Sequence, residues 1–211
     1  MCRMRNQAFS HTDTPTVFIV DDDADLRATL CMMAESVGLR VVEYGDASAY
    51  LQDYDPARPG CLVLDLRMPG RSGLHLQEEL VRRGSPPPII FLSGHGSIPA
   101  AMKAAKAGAV HFFEKPFDAQ DLLDCIQQSI ADDARERAGR TALEQVRARL
   151  TTLTARERQV LDLVVAGHAS KVIAADLGIS EKTVENHRHH IMEKMGAGSV
   201  VDLVRAVLSV S

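Results

Sequence analysis

Thr16-Val17-Phe18-Ile19-Val20-Asp21-Asp22-Asp23 is an apolar run of strand length closed by three carboxylates. Two later stretches repeat the form. Cys61-Leu62-Val63-Leu64 ends on Asp65, and Val110 to Glu114 runs into Lys115 and Pro116. Short apolar runs ended by polar residues, and alternating with helical patterns, read as buried parallel strands. In such a sheet function collects at the carboxyl ends of the strands. Asp21, Asp22, Asp65 and Lys115 are therefore expected along one edge. Three carboxylates and one ammonium there make a constellation for a divalent cation and phosphoryl transfer.

The rest of the first half fits that frame. Strand signals fall at Val17–Val20, Leu39–Tyr44, Cys61–Leu64, Ile89–Leu92 and Val110–Glu114. Helical patterns lie between and after them: Asp25–Val37, Ala47–Tyr54, Gly73–Arg83, Ile98–Ala107 and Asp118–Ile130. This alternation predicts a doubly wound α/β domain, a five-stranded parallel sheet with helices on both faces. Gly38 and Gly108 follow helices, Asp118 is placed to cap the last one, and Ser85-Pro86-Pro87-Pro88 breaks the chain before the fourth strand.

Length and composition suit two domains. The chain has 211 residues and a net charge of −4. Residues 1–130 carry 12 Lys and Arg against 17 Asp and Glu, whereas residues 151–211 carry seven of each and four histidines. Nucleic-acid binding by the second half must therefore come from local charge placement, not bulk charge. No apolar stretch reaches the roughly 18 residues of a membrane helix. Residues 1–15 read as a disordered leader without the apolar centre of a secretory signal. Cys2, Cys31, Cys61 and Cys125 have neither CxxC nor zinc spacing, so reduced thiols in a cytoplasmic protein are expected.

Residues 131–153 are charged, with Arg and Glu interleaved. Leu143, Val146, Leu150 and Leu153 recur there at helical spacing. Two readings stay open for this linker: a solvated helix, or a short dimerising one. From residue 154 to 211 every signal is helical: Ala155–Ala166, Lys171–Leu177, Glu181–Met195 and Val200–Leu208. Thr154 with Glu157 forms a capping-box pattern, and Ser180 is a good N-cap for the third helix. Only Gly178-Ile179-Ser180 separates the second helix from the third, which is helix-turn-helix spacing.

The chemistry of the first site follows from its residue types. Mg²⁺ takes hard oxygen ligands and keeps several waters. A bound cation relieves repulsion between clustered carboxylates. An aspartate can act as nucleophile towards phosphorus and form an acyl phosphate. Lys115 would then balance charge on the transferred oxygens, and the Ser93 hydroxyl would donate to them.

Val20-Asp21-Asp22-Asp23, Leu64-Asp65-Leu66-Arg67-Met68-Pro69-Gly70, Ser93-Gly94-His95-Gly96 and Glu114-Lys115-Pro116-Phe117 resemble the receiver domain of two-component response regulators, which has a flavodoxin-like fold. The resemblance covers residues 16–130. Leu153-Thr154-Ala155-Arg156-Glu157-Arg158-Gln159-Val160-Leu161 and Lys182-Thr183-Val184-Glu185-Asn186-His187 resemble the LuxR-type helix-turn-helix domain. Together the halves are similar to the FixJ/NarL class of transcriptional regulators.

The resemblance implies a role for each matching residue. Asp65 becomes the phosphoacceptor. Asp21, Asp22, Asp65 and the Arg67 backbone carbonyl become the pocket for Mg²⁺ or Mn²⁺. Ser93 and Phe112 take the switch positions and Lys115 the lysine position, with a cis Lys115-Pro116 bond. Phe112 stands where the family often has Tyr, so only a packing switch is available to it. Arg67 and His95, two residues beyond Asp65 and Ser93, are expected to tune the lifetime of the acyl phosphate. In the second domain Glu185, Asn186 and His189 would face base edges, while Lys171, Lys182, Thr183, His187 and Arg188 would meet phosphates.

The implied protein is a phosphorylation-dependent activator. A sensor histidine kinase would phosphorylate it, it would dimerise on an inverted-repeat-like promoter site, and RNA polymerase would be its downstream partner. It would not be a metabolic enzyme. Two rivals remain: a receiver-like domain that is never phosphorylated, and a phosphohydrolase with an appended helical domain.

Overall fold

The computed structural model describes residues 14–94 and 98–210. Its sheet is parallel and contains β1 (Thr16–Val20), β2 (Arg40–Tyr44), β3 (Gly60–Asp65), β4 (Ile89–Ser93) and β5 (His111–Glu114), in the order β2-β1-β3-β4-β5. The connecting helices are α1 (Ala24–Ser36), α2 (Ala47–Asp53), α3 (Gly73–Arg83) and α4 (Ile98–Lys106), and α5 (Ala119–Thr151) follows the last strand.

Alternation along the central strands sorts the core into two layers, because successive side chains in a strand point to opposite faces. Phe18, Val20, Leu62, Leu64, Ile89 and Phe91 pack with Tyr50 and Leu51 of α2, Leu76 and Leu80 of α3, and Ala104 of α4. Val17, Ile19, Cys61, Val63, Ile90 and Leu92 pack with Leu30 of α1 and with Leu122 and Ile126 of α5. Both faces of the sheet are thus covered, which is why these strands read as continuous apolar runs. The strand order reverses between β1 and β3, so the carboxyl ends of these two neighbours flank the switch point where doubly wound sheets bind ligands.

The caps expected from the sequence are formed. Asp23 accepts from the Asp25 and Leu26 amides, and Asp118 from those of Gln120 and Asp121. The Lys115-Pro116 bond is cis. Among the described residues Cys61 is buried, Cys31 and Cys125 are half-buried, and all three are free thiols. Cys2 and residues 1–13 of the expected leader lie outside the described residues.

A helix to Ile130 followed by a helical linker over residues 131–153 was expected, and a single helix, α5, runs through both to Thr151. Two compact units divide within it, the first ending at Glu136 and the second beginning at Arg137. Asp133 was expected in the linker, yet it is buried and its Oδ2 accepts from the Gly60 amide at 2.9 Å. Gly60 starts β3 with φ of +142°, and a Cβ there would lie 1.9 Å from the Thr16 carbonyl oxygen. The close approach of these two backbones demands glycine, and Asp133 satisfies its amide.

The Leu143–Leu153 stripe departs from a fully solvated helix. Leu153 is buried, and the half-buried Val146 and Leu150 pack against the core of the second unit.

That second unit continues with α6 (Ala155–Val165), α7 (Ser170–Leu177), α8 (Glu181–Met195) and α9 (Val200–Leu208). Its core is Val160, Leu161, Val164, Ile173, Val184, Ile191, Met195 and Leu203. The Thr154–Glu157 capping box opens α6, and the Ser180 hydroxyl caps α8. Gly178 ends α7 with φ of +65°, which gives the tight turn into α8. Among the described residues no helix is long and apolar enough to cross a membrane.

Candidate functional site

β1 and β3 lie side by side, so the residues that end them meet. Lys115 follows β5 and reaches back across the sheet edge. Its Nζ donates to Asp65 Oδ1 at 2.6 Å and to Asp21 Oδ2 at 2.9 Å. Asp65 Oδ2 accepts from the Arg67 amide at 2.7 Å, and Asp21 Oδ1 from the Asp23 amide at 2.9 Å. The Lys115 amide donates to the Ser93 carbonyl at 2.7 Å, which locks the ends of β4 and β5 together. Ser93 is itself buried.

The electrostatics follow from burial. The Asp65 side chain is 7% exposed and that of Asp21 2%. Burial raises the Asp65 carboxyl above the usual aspartate range, and neighbouring Asp21 adds to this against the pull of Lys115 and the Arg67 amide. For Lys115, burial opposes the charge, but Asp65 and Asp21 outweigh it and hold the ammonium above its ordinary value. A buried, nucleophilic carboxylate beside a fixed cation is what acyl-phosphate chemistry needs.

Lys115 gathers two of the three expected carboxylates; Asp22, the third, is exposed, and among the described residues no three His, Cys, Asp or Glu groups cluster as metal ligands. The donor set suits Mg²⁺, which commonly takes one or two carboxylates and keeps its other positions for water. Both Asp oxygens reach a single point, now held by one ammonium.

Phe112, the other switch position, is half-buried and packs against the α2–α3–α4 layer, its ring 6.4 Å from that of Phe91. The Arg67 side chain is exposed. His95 lies outside the described residues. Two contributors were missed in the sequence. Arg27 of α1 donates to the Asp21 carbonyl at 2.7 Å and lies 3.4 Å from Glu43, tying the ends of β1 and β2. Gly73 opens α3 so close to Asp65 that a Cβ would sit 2.3 Å from its carbonyl oxygen. Neither has a local signature, because each is defined by a partner distant in the chain.

In the second unit, Val184, Ile191 and Met195 form the buried side of α8. Glu185, Asn186 and His189 are exposed, as are Lys171 and Lys182; Thr183, His187 and Arg188 are half-buried. Lys182 lies 3.7 Å from Glu185, and His189 3.8 Å from Glu193. The Thr183 hydroxyl is 2.8 Å from that of Ser180, within the helix cap.

Residues 17–127 match the family model for the response regulator receiver domain, and residues 151–207 match that for bacterial regulatory proteins of the luxR family. The chain belongs to the FixJ/NarL class of response regulators. This response regulator is 45% identical over 189 residues to the response regulator protein TmoT of Ectopseudomonas mendocina, covering 90% of this chain and 86% of TmoT. It is 43% identical over 192 residues to the transcriptional regulatory protein FixJ of Azorhizobium caulinodans, with 91% of each chain covered. Its structure is similar to that of the response regulator StyR, with a TM-score of 0.86, 45% identity, and 92% and 98% of the two chains covered. It is thus a transcriptional response regulator with a receiver domain and a LuxR-type DNA-binding domain, the organisation of phosphorylation-dependent transcription control.

Proposed function

We propose that Asp65 is the phosphoacceptor of this response regulator and that its phosphorylation controls promoter binding by α8. The observation that carries the reading is the buried Asp65 carboxylate, held by Lys115 at 2.6 Å and the Arg67 amide at 2.7 Å in the same chain as a helix-turn-helix. An Asp65 oxygen attacks the phosphorus of a phosphohistidine on the sensor kinase. The new O–P bond forms as the P–N bond breaks, and the electron pair leaves with the imidazole. Lys115 balances charge on the transferred oxygens, and the Ser93 hydroxyl donates to one of them.

Asp21, Asp22, Asp65 and the Arg67 carbonyl would hold Mg²⁺ or Mn²⁺, which when bound neutralises the phosphoryl oxygens during transfer. Attack of water on phosphorus later returns the carboxylate and inorganic phosphate, and Arg67 sets the access of that water. No other turnover is assigned to the chain, so it is a switch in the cytoplasm, not a metabolic enzyme.

Transfer places new acceptor oxygens beside Ser93 and Lys115. Ser93 closes on them, Phe112 shifts its packing against Phe91, and the surface of α4 and β5 changes shape. That surface promotes a homodimer, which presents two α8 helices to an inverted-repeat-like promoter site and acts on RNA polymerase as an activator. Glu185, Asn186 and His189 read bases, while Lys171, Lys182, Thr183, His187 and Arg188 hold phosphates.

Gel-filtration mass with and without beryllofluoride and Mg²⁺ tests this. The wild type should shift from monomer to dimer and Asp65→Asn should not. A shift in both proteins would remove Asp65 from the switch. Absence of a shift in either would favour the rival in which protein contacts, not phosphorylation, govern the first domain. Continuous release of phosphate from a phosphodonor in many-fold excess would favour the phosphohydrolase.

A further inference from the structure

The helix expected to enter the major groove is poor in free positive charge. α8 carries Lys182, Arg188 and Lys194 against Glu181, Glu185 and Glu193. Lys194 is already committed: its Nζ lies 2.6 Å from Oε2 of Glu157, whose side chain is 4% exposed. The remaining fixed charge is two cations against three carboxylates, and Lys182 lies within 3.7 Å of one of these. DNA is a dense polyanion. A helix with this balance is repelled unless something else supplies positive charge.

Histidines are placed to supply it. With about 100° between successive residues of a helix, Val184, Ile191 and Met195 mark the buried side and Lys182, Asn186 and Glu193 lie opposite. His189 and His190 occupy the two shoulders of that exposed face, with ring centroids 6.1 Å apart. A helix seated in the major groove has a phosphate backbone along each flank, so a charge on either shoulder lies in the field of the phosphates even where, as at His189, the ring meets a base edge. His187 is half-buried at the edge of the same helix.

The charged groups on neighbouring elements do not already claim these imidazoles. From α6 come Glu157, taken by Lys194, the exposed Asp162, and Arg156 and Arg158, which donate to the Leu177 and Leu150 carbonyls. From α7 come Lys171 and Asp176, both exposed. From α9 come Asp202, hydrogen-bonded to Ser199, and Arg205, 4.0 Å from it. Arg149 of α5 donates to the Met195 carbonyl. Among the described residues Glu193, 3.8 Å from His189, is the carboxylate within ion-pair distance of an α8 imidazole.

We infer that His189 and His190 bind DNA as imidazolium ions, so that complex formation takes up protons and DNA affinity falls as pH rises from about 6 to 8. The inference rests on α8 being the DNA-binding helix, and it adds His190 to the contact residues. The phosphates of bound DNA favour a positive charge on both imidazoles. Imidazoles ordinarily titrate near pH 6.5, roughly the middle of the physiological range. The charged form is favoured in the complex. The gain is therefore complete below the titration of the free protein and is lost as pH rises through that of the complex.

The test is fluorescence anisotropy of a mixed-sequence 30-base-pair duplex with the full chain activated by beryllofluoride and Mg²⁺, at fixed low ionic strength and pH 6.0 to 8.0. Three proteins are compared: wild type, His189→Gln with His190→Gln, and His189→Arg with His190→Arg. Wild type should bind roughly tenfold tighter at pH 6 than at pH 8, an average uptake of about half a proton over that range. Its salt dependence should steepen at pH 6 by up to about 1.8 in log–log slope, at about 0.9 per imidazolium.

The glutamine pair should bind weakly and lose most of the pH dependence, and the arginine pair should bind tightly at every pH. Wild-type affinity equal at both ends of the range, or an undiminished pH slope in the glutamine pair, overturns the inference while leaving DNA binding intact. No binding by wild type at any pH overturns the DNA-binding reading itself, and this inference with it.

Discussion

Replacing Lys194 with methionine removes the cation that ties the end of the recognition helix to the start of α6. Glu157 Oε2 accepts from Lys194 Nζ at 2.6 Å, from the Thr154 amide at 2.8 Å and from the Thr154 hydroxyl at 3.0 Å. Lys194 foremost, and then Thr154, hold the Glu157 carboxyl at about 2 against its usual 4.5. That difference corresponds to about 3.5 kcal/mol, at roughly 1.4 kcal/mol per pH unit. The Thr154 bonds survive in the variant. The Lys194 side chain is 35% exposed, so solvent screening discounts its share.

About 1.5 kcal/mol remains for Lys194→Met at pH 7, which lowers the melting temperature of the second unit by roughly 6–12 °C. Calorimetry on wild type, Glu157→Gln, Lys194→Met and the double variant measures it, and the coupling between the two sites should be about 1 kcal/mol. Because the folded-state value is depressed, this stability is present above 4.5 and is lost as pH falls towards about 2. The gap between wild type and Lys194→Met must therefore narrow in acid. Additive single effects, or a gap unchanged between pH 7 and pH 3, would refute the reasoning.

Three further outcomes concern the first unit. Asp65 titrates above the usual aspartate range, so its ionised form costs folding energy once pH rises through that window. Without metal, Asp65→Asn should unfold at higher denaturant than wild type at pH 7, and the advantage should vanish below the ordinary aspartate range. Lys115→Met leaves two buried carboxylates facing each other. It should cost about 3 kcal/mol at pH 7 and recover in part with Mg²⁺, and a loss indifferent to Mg²⁺ would count against a cation site between Asp21 and Asp65. Gly60→Ala drives a Cβ against the Thr16 carbonyl and should destabilise the first unit by about 4 kcal/mol or more; near-normal urea unfolding would contradict that packing.

The central strands were legible because burial on both faces writes an uninterrupted apolar run, and because a carboxylate or lysine punctuates the carboxyl ends of β1, β3 and β5. Asp21, Asp65 and Lys115 could be assembled from that punctuation alone. Three consecutive aspartates look equivalent in sequence, whereas the fold buries Asp21 beside Lys115 and leaves Asp22 exposed. Arg27, Gly73 and Asp133 were silent. Each acts through a backbone group contributed by another element, and hydrogen bonds to the main chain leave no residue-type signature at the receiving end. The apolar stripe from Leu143 to Leu153 was visible as a stripe, but periodicity says that a face is covered and not by what.

The bond from Asp133 to the Gly60 amide, and the burial of Val146, Leu150 and Leu153, bear on how such chains are recombined. The two modules each extend into α5 beyond the borders that motif matching draws. A graft cut at residue 130 would leave the amide at the head of β3 without its acceptor. One cut at residue 154 would strip three apolar side chains from the cover of the helical core. The short stretch between Asp133 and Leu143 contributes no side chain to either buried apolar core. Chimeras joined there should keep both parts intact, and insertions of a helical turn should be tolerated there by each module's fold.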